Sequence, residues 1–153
     1  MYETVLWATD ASTVADGALT EAVQLLQSGG RLIAFHCDER FAGGRAGGAP
    51  LLADEFDRRA RIVAQVDQLK ADGIDAELII EATHHDAARE IAKVAEEQGV
   101  DVIVCGTRGF GIVAGVLAGS VAMRLPHLAP CAVVVVSEKA TENARASETA
   151  AMR

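Results

Sequence analysis

Short apolar segments alternate with longer amphipathic segments along most of the chain. The short segments are rich in Val, Leu, Ile and Ala, and near-continuous apolar runs are typical of strands buried on both faces of a sheet. They predict five strands, at residues 4–8, 31–37, 76–82, 100–105 and 132–136. Apolar residues at helical spacing predict four intervening helices, at about 13–27, 52–71, 86–98 and 120–128.

The strict alternation of strands and helices predicts one α/β domain. We expect an open, parallel, five-stranded, Rossmann-like sheet with helices on both faces and strand order 3-2-1-4-5. In such sheets, ligands bind beyond the carboxyl ends of the strands, where the strand order reverses. Here this point lies at the ends of strands 1 and 4, which carry Asp10 and a glycine-rich loop that begins at Gly106.

The segments outside this pattern are rich in glycine or polar residues. Gly29 and Gly30 are expected to end the first helix, and residues 38–51, with four glycines and Pro50, to form a loop. Residues 138–153 are polar and alanine-rich with no apolar period, which predicts a disordered tail. We therefore expect a domain at residues 1–137 followed by this tail.

The loop from Gly106 to Ser120 is the strongest chemical feature of the chain. Five glycines lie in its first fourteen positions, at 106, 109, 111, 115 and 119. Glycines allow backbone N–H groups to surround an anion, and Ser120 falls where a helix should begin, which favours phosphate binding. The alternative is a structural linker between strand 4 and helix 4. Neither the G-x-x-x-x-G-K-[ST] phosphate loop nor a G-x-G-x-x-G after strand 1 occurs.

Charge and composition narrow the set of partners. The net charge of −8 and the aromatic content of 4% disfavour nucleic acid and anionic membranes. The three cysteines, Cys37, Cys105 and Cys131, are far apart and lie in apolar runs, so we expect small buried side chains rather than a disulfide. An odd cysteine number without a signal peptide predicts a cytoplasmic protein.

Five segments together resemble the universal stress protein family over residues 2 to about 137. They are A-T-D-A-S after strand 1, H-C-D-E-R after strand 2, V-D-V-I-V-C-G-T-R-G at strand 4, G-S-V-A at helix 4 and A-P-C-A-V-V-V-V at strand 5. The nucleotide-binding members of this family carry G-x2-G-x9-G-[ST], which this chain matches with Gly106, Gly109, Gly119 and Ser120. The resemblance therefore implies the ATP-binding branch.

The resemblance also implies a set of nucleotide-binding residues. Those beside the ribose and base would be Ala8, Thr9, Asp10, Cys37 (through its backbone), Cys105 and Gly106. Those lining the phosphates would be Arg108, Gly109, Gly119, Ser120 and Val121. The residues allow simpler roles as well: Asp10 and Ser120 could cap helices 1 and 4, and Cys37 could be a core residue.

Two positions depart from the family pattern. Ala11 stands where members usually carry glycine, and His84-His85 replace a glycine near a proline after strand 3. Adjacent histidines point in different directions and no third ligand is evident, so we predict no metal site. His36 is expected in the strand core or at a sheet edge, and His127 on a helix surface.

Three function classes follow. The first is a stress-response sensor or regulator that binds ATP with Mg²⁺, with AMP or cyclic AMP as alternatives. The second is a slow ATP-hydrolysing enzyme, disfavoured because the loop has no lysine. The third is a nucleotide-free interaction protein. The uncharged run at residues 131–136 further predicts a homodimer through the edge of strand 5.

Overall fold

Strands and helices alternate along the residues that the computed structural model describes, which are 1–39, 49–83, 86–107 and 120–153. The strands are β1 (Tyr2–Ala8), β2 (Leu26–Glu39), β3 (Asp75–Thr83), β4 (Val102–Gly106) and β5 (Ala132–Val136). The helices are α1 (Thr13–Leu25), α2 (Ala49–Ala71), α3 (Ala87–Glu97), α4 (Ser120–Leu128) and α5 (Glu138–Ala151).

The five strands form one parallel sheet in the order β3-β2-β1-β4-β5. This confirms the predicted fold class. β1 lies at the centre, where Val5, Leu6 and Trp7 are fully buried. The chain passes from β1 to β2 on one side and later returns to add β4 on the other. The reversal of strand order therefore lies between β1 and β4.

Two hydrophobic layers cover the sheet because alternate strand residues face opposite sides. Leu32 and Ala34 of β2 pack in the layer that includes α1 and α2, whereas Ile33 and Phe35 pack in the layer that includes α3 and α4. The buried indole of Trp7 donates a hydrogen bond to the Ala15 carbonyl oxygen at 2.8 Å, which joins β1 to α1.

The prediction that Gly29 and Gly30 end the first helix is wrong. α1 ends at Leu25, and both glycines lie in β2, at an irregularity in its pairing with β1. Gly29 has a positive φ of 78°. A methyl group at Gly30 would lie 2.7 Å from the Glu3 carbonyl oxygen, so these glycines allow a close strand approach rather than a helix end.

The predicted loop at residues 38–51 is shorter than expected. Asp38 and Glu39 continue β2 in register with β3, and α2 already begins at Ala49. Residues 40–48 lie outside the described part of the chain.

The prediction of a disordered tail at residues 138–153 is also wrong, since α5 occupies most of it. Ser137 caps this helix, and its Oγ accepts a hydrogen bond from the Ala140 N–H at 3.2 Å. α5 packs against α1, where Thr141 is only 5% exposed. A methyl group at Gly17 of α1 would lie 2.6 Å from the Thr141 Cβ. The anchor is thus a polar side chain against a glycine, which an apolar period does not reveal.

We expect Gly17→Ala to release α5 from α1. Helix propensity alone predicts that alanine stabilises the interior of α1 by about 1 kcal/mol, so a loss of stability would identify the contact with Thr141. Limited proteolysis should cut the C-terminal segment faster, and thermal unfolding should occur at a lower temperature. The double variant Gly17→Ala/Thr141→Gly restores the space and serves as the control. Unchanged proteolysis of Gly17→Ala would refute this packing.

Candidate functional site

The carboxyl ends of β1, β2 and β4 meet at one edge of the sheet and bring together the predicted base and ribose residues. Ala8 ends β1 and pairs with Phe35 of β2, two residues before Cys37. Cys105 and Gly106 end β4 on the other side of β1. The fold thus places Ala8, Cys105 and Gly106 at the strand-order reversal and Cys37 on the β2 side of β1.

One hydrophobic cluster joins four of the predicted site residues. Ala8 and Cys105 are buried in the layer beneath α3 and α4, and Cys37 and Val121 pack against the same layer. Ser120 begins α4, so the amino end of this helix lies next to Val121. The predicted phosphate residues Arg108, Gly109 and Gly119, together with His84 and His85, lie outside the described residues.

The turn between β1 and α1 is held by its own side chains. The Ala11 N–H donates to the Thr9 Oγ1 at 3.0 Å, and the Ser12 N–H donates to the Asp10 Oδ1 at 2.9 Å. Ser12 caps α1, since its Oγ accepts from the Ala15 N–H at 3.2 Å. Asp10 is therefore not the helix cap, and its half-buried carboxylate is oriented by the turn.

Ala11 adopts a positive φ of 66°, a region that favours glycine. This is a position at which the resemblance described above implies glycine. The alanine methyl group is buried, with the residue 2% exposed, and packs in the layer beneath α1 and α2. Burial of this methyl group offsets part of the conformational strain, which explains why alanine is tolerated here.

Cys105 has a protonated thiol at neutral pH, because burial raises its pKa to about 11. It therefore adds no negative charge to the site edge. None of the three cysteines forms a disulfide, and Cys105 alone among them is buried. Cys37 and Cys131 are partly buried, so the expectation of a buried side chain is wrong for these two. Desolvation, with a smaller contribution from Asp101, raises the pKa of Cys131.

α4 is oriented by a charged contact with α3. Asp86 caps α3, and its Oδ1 accepts from the Ala88 N–H at 3.1 Å. The same carboxylate forms an ion pair with Arg124, one turn after the start of α4. This contact fixes the first turns of the two helices relative to each other, at the end of α4 that the sequence assigns to phosphate.

His36 joins the site turn to α2. Its ring is 2% exposed, and its Nδ1 lies 2.9 Å from the Thr9 carbonyl oxygen. Its Nε2 lies 2.7 Å from the Glu55 Oε1. The expectation of a strand core position is confirmed, but this connection was missed, because Glu55 lies nineteen positions away on another element.

The described residues, 1–39, 49–83, 86–107 and 120–153, contain neither a metal-binding cluster nor a helix that could span a membrane. Within these ranges, no group of three or more His, Cys, Asp and Glu side chains could hold a metal ion. Among the same residues, no helix has the length and apolarity needed to cross a membrane.

The strained turn gives a test at Ala11. Ala11→Gly relieves a backbone conformation that costs about 1–2 kcal/mol. Two losses oppose this gain: the buried methyl group contributes about 0.8 kcal/mol, and the greater conformational entropy of glycine in the unfolded chain costs about 0.5–1 kcal/mol. We expect the free energy of unfolding in urea to change by less than about 1 kcal/mol. Ala11→Val places a β-branched side chain at a positive φ and should destabilise by more than about 2 kcal/mol. Equal stability of Ala11→Val and the parent would exclude the strained turn.

Curated relatives match this chain either over a short stretch or over most of its length. A universal stress protein from Methanothermobacter thermautotrophicus is 53% identical over 51 residues, which cover 33% of this chain and 34% of that protein. The universal stress protein in the QAH/OAS sulfhydrylase 3′ region of Thermus aquaticus is 30% identical over 141 residues, which cover 89% of this chain and 99% of that protein. The chain spans about a third or less of the length of two curated relatives that it matches over short stretches.

Solved structures with the same fold include two at 26% identity. A universal stress protein in complex with cAMP has a TM-score of 0.65, with 88% of this chain and 97% of that chain covered. A universal stress protein from Burkholderia pseudomallei has a TM-score of 0.63, with 88% and 96% covered. The model of the universal stress protein family matches residues 1–137. This chain belongs to the universal stress protein family.

Proposed function

We propose that this protein binds an adenine nucleotide, with ATP as the first candidate, and acts as a stress-response sensor or regulator. One observation carries the proposal: the Thr9–Asp10 turn and the end of β4 lie side by side at the strand-order reversal. In open α/β sheets this is where nucleotides bind. The related structure in complex with cAMP supports an adenine nucleotide as the ligand class.

The base and ribose would occupy the edge formed by β1, β2 and β4. Asp10 would accept hydrogen bonds from the ribose hydroxyls, since an ionised carboxylate only accepts. Its orientation by the Ser12 N–H supports this role, because the turn sets the carboxylate before a ligand arrives. Ala8 and Thr9 would line the same side, Cys37 would meet adenine through its backbone, and Cys105 and Gly106 would border the ribose.

The phosphates would lie against the loop between Gly106 and Ser120 and the amino end of α4. Helix N-termini offer free N–H groups and a positive dipole end to anions. Arg108, Gly109, Gly119, Ser120 and Val121 would line this part of the site. The loop carries a single cation, so we propose that Mg²⁺ accompanies the nucleotide and balances its charge.

Binding rather than rapid catalysis fits the chemistry of the described edge. Phosphoryl transfer needs strong cations at the γ-phosphate and a group that orients the attacking water. Residues 106–120 contain no lysine, and the neutral Cys105 thiol is a poor nucleophile. The protein would therefore hydrolyse ATP slowly or not at all. A turnover assay with ATP and Mg²⁺ separates these two possibilities.

We also propose a homodimer through β5 in a cytoplasmic setting. β5 has the uncharged sequence Ala-Val-Val-Val-Val and pairs with β4 on one side. α5 packs on α1 rather than continuing the sheet beyond β5 among the described elements. Two-fold antiparallel pairing of β5 with its copy would cover both edges. Three cysteines that form no disulfide fit a reducing compartment.

Calorimetry with ATP, AMP and cyclic AMP, each with and without Mg²⁺, tests the nucleotide proposal. We expect saturable binding of at least one of them and tighter ATP binding with Mg²⁺. Asp10→Asn retains an oxygen that can accept from the Ser12 N–H but removes the carboxylate, so it should weaken binding about fivefold to tenfold. Asp10→Ala and Gly119→Val should weaken it further.

The matched control for this series is Asp72→Asn. Asp72 is exposed after the end of α2, so its change should leave nucleotide affinity as in the parent. Absence of heat and of a thermal shift with all three nucleotides would contradict the proposal and favour a nucleotide-free interaction protein.

Light scattering tests the homodimer. Val135 is 38% exposed on β5, so Val135→Lys adds charge at the edge with little burial. We expect the parent to have twice the mass of one chain and Val135→Lys to shift toward a monomer at micromolar concentration. Met123→Lys, at an exposed position on α4, is the control. A monomeric parent would rule out this interface.

A further inference from the structure

The His36 ring is enclosed between two hydrogen-bond acceptors. On one side is the Thr9 carbonyl oxygen, 2.9 Å from Nδ1, and on the other is the Glu55 Oε1, 2.7 Å from Nε2. The ring is 2% exposed and the Glu55 side chain 17% exposed. Because a carbonyl oxygen only accepts, Nδ1 must carry a proton to bond with Thr9.

The second contact requires another proton. An ionised Glu55 also only accepts, so Nε2 must donate to it, and the ring then carries both protons and a positive charge. A neutral ring has two tautomers. With the proton on Nδ1, the Nε2 lone pair faces the Glu55 carboxylate oxygen at 2.7 Å, which is repulsive unless Glu55 is protonated. With the proton on Nε2, the Nδ1 lone pair faces the Thr9 carbonyl oxygen at 2.9 Å, which is also repulsive. The geometry therefore holds one additional proton between His36 and Glu55.

The surrounding charges favour an imidazolium paired with a carboxylate. Arg59 of α2 donates to the Glu55 Oε1 at 3.0 Å and to the Asp38 Oδ2 at 3.0 Å. The hydrogen bond to Glu55 is the largest cause that raises the pKa of Arg59, which stays charged. Beside Arg59, a protonated Glu55 would be disfavoured. With His36 charged, two cations face two carboxylates, and loss of the ring proton leaves an excess negative charge in a partly buried network.

We propose that protonated His36 is a positioning residue for nucleotide binding, which holds the Thr9–Asp10 peptide in place and makes nucleotide affinity fall as pH rises. This inference rests on the proposed function. The peptide bond from the Thr9 carbonyl carbon to the Asp10 nitrogen is planar and rigid. A donor on the Thr9 oxygen therefore restrains the start of Asp10, the residue assigned to the ribose.

The direction of the pH effect follows from the two contacts. With both protons present, the ring binds the Thr9 oxygen and Glu55 together. When one proton is lost at higher pH, the ring keeps only one of its two bonds: Nε2 loses its bond to Glu55, or Nδ1 loses its bond to the Thr9 oxygen. In either case the Thr9–Asp10 turn is held less firmly. Nucleotide binding should thus be tighter at about pH 6 than at about pH 9.

Two variants separate the proton from the packing. In Glu55→Gln, an amide N–H in place of Oε1 donates to the Nε2 of a neutral ring and gives up the contact with the Arg59 Nε–H, while Arg59 keeps its bond to the Asp38 Oδ2. The Nδ1–H bond to Thr9 then remains without the additional proton. In His36→Asn, the amide N–H replaces Nδ1 as the donor to Thr9 and cannot titrate. His127→Asn, at an exposed position on α4, is the matched control.

The experiment measures the dissociation constant of ATP with Mg²⁺ at about pH 6 and about pH 9 for all four proteins. From the lower to the higher pH, we expect the dissociation constant to rise about fivefold to tenfold more in the parent and in His127→Asn than in Glu55→Gln and His36→Asn. Titration of the ATP phosphates contributes equally to all four proteins and cancels in this comparison, and His127→Asn measures the effect of removing an exposed histidine. Circular dichroism establishes that each variant is folded.

A measurement without nucleotide supplies an independent readout. The ¹⁵N NMR signals of the His36 ring should show two protonated nitrogens at about pH 6 in the parent and a protonated Nδ1 alone in Glu55→Gln. A neutral ring in the parent at that pH would overturn the proposal. So would ATP binding whose pH dependence is the same in all four proteins, and the proposed function would then still stand. Absence of ATP binding at both pH values would instead overturn the proposed function and this role with it.

Discussion

Where the chain leaves the buried strand β1, every polar group of its backbone needs a hydrogen-bond partner. Thr9 is the residue at which this requirement is met. The Thr9 N–H donates to the Phe35 carbonyl oxygen at 2.9 Å, its carbonyl oxygen faces His36, and its Oγ1 accepts from the Ala11 N–H. Each partner replaces water that the interior excludes. Because these bonds fix the turn, they also fix Asp10 at the strand-order reversal, so the candidate site follows from a requirement of folding.

The elements that sequence patterns predicted best are those whose burial is decided locally. β5 and α4 have the predicted bounds because Pro130 and Ser137 bracket the strand, and an apolar face with a helix-start signal marks α4. The end of α1 and the whole of α5 depend instead on contacts distant in sequence. Gly30 is needed for the approach of Glu3, and α5 is held by Thr141 against Gly17. Hydrophobic periodicity reports apolar burial, so it does not register either contact.

The same distinction applies to the site. The turn residues and the end of β4 could be placed from the sequence because parallel strands end at a common edge. The network of His36, Glu55 and Arg59 could not, because its members lie on β2 and α2 and each has an ordinary sequence environment. The one sequence signal for this network is His36 itself, a histidine within the apolar run of a predicted strand. It indicates burial, and a buried ring needs partners for both nitrogens, but the identity of those partners depends on how α2 crosses the sheet.

Polar contacts of one carboxylate join α1 to α2 and α5. Asp16 of α1 accepts from Gln65 of α2 at 2.8 Å, pairs with Arg61 of the same helix and lies 3.9 Å from Arg145 of α5. Two helices thus converge on one carboxylate of the helix that begins at the site turn, while Glu55 reaches that turn through His36. Movement of the turn on ligand binding would act on α2 at both of these contacts. Under the proposed function, α2 would connect the ligand edge of the sheet to the outer surface of the protein.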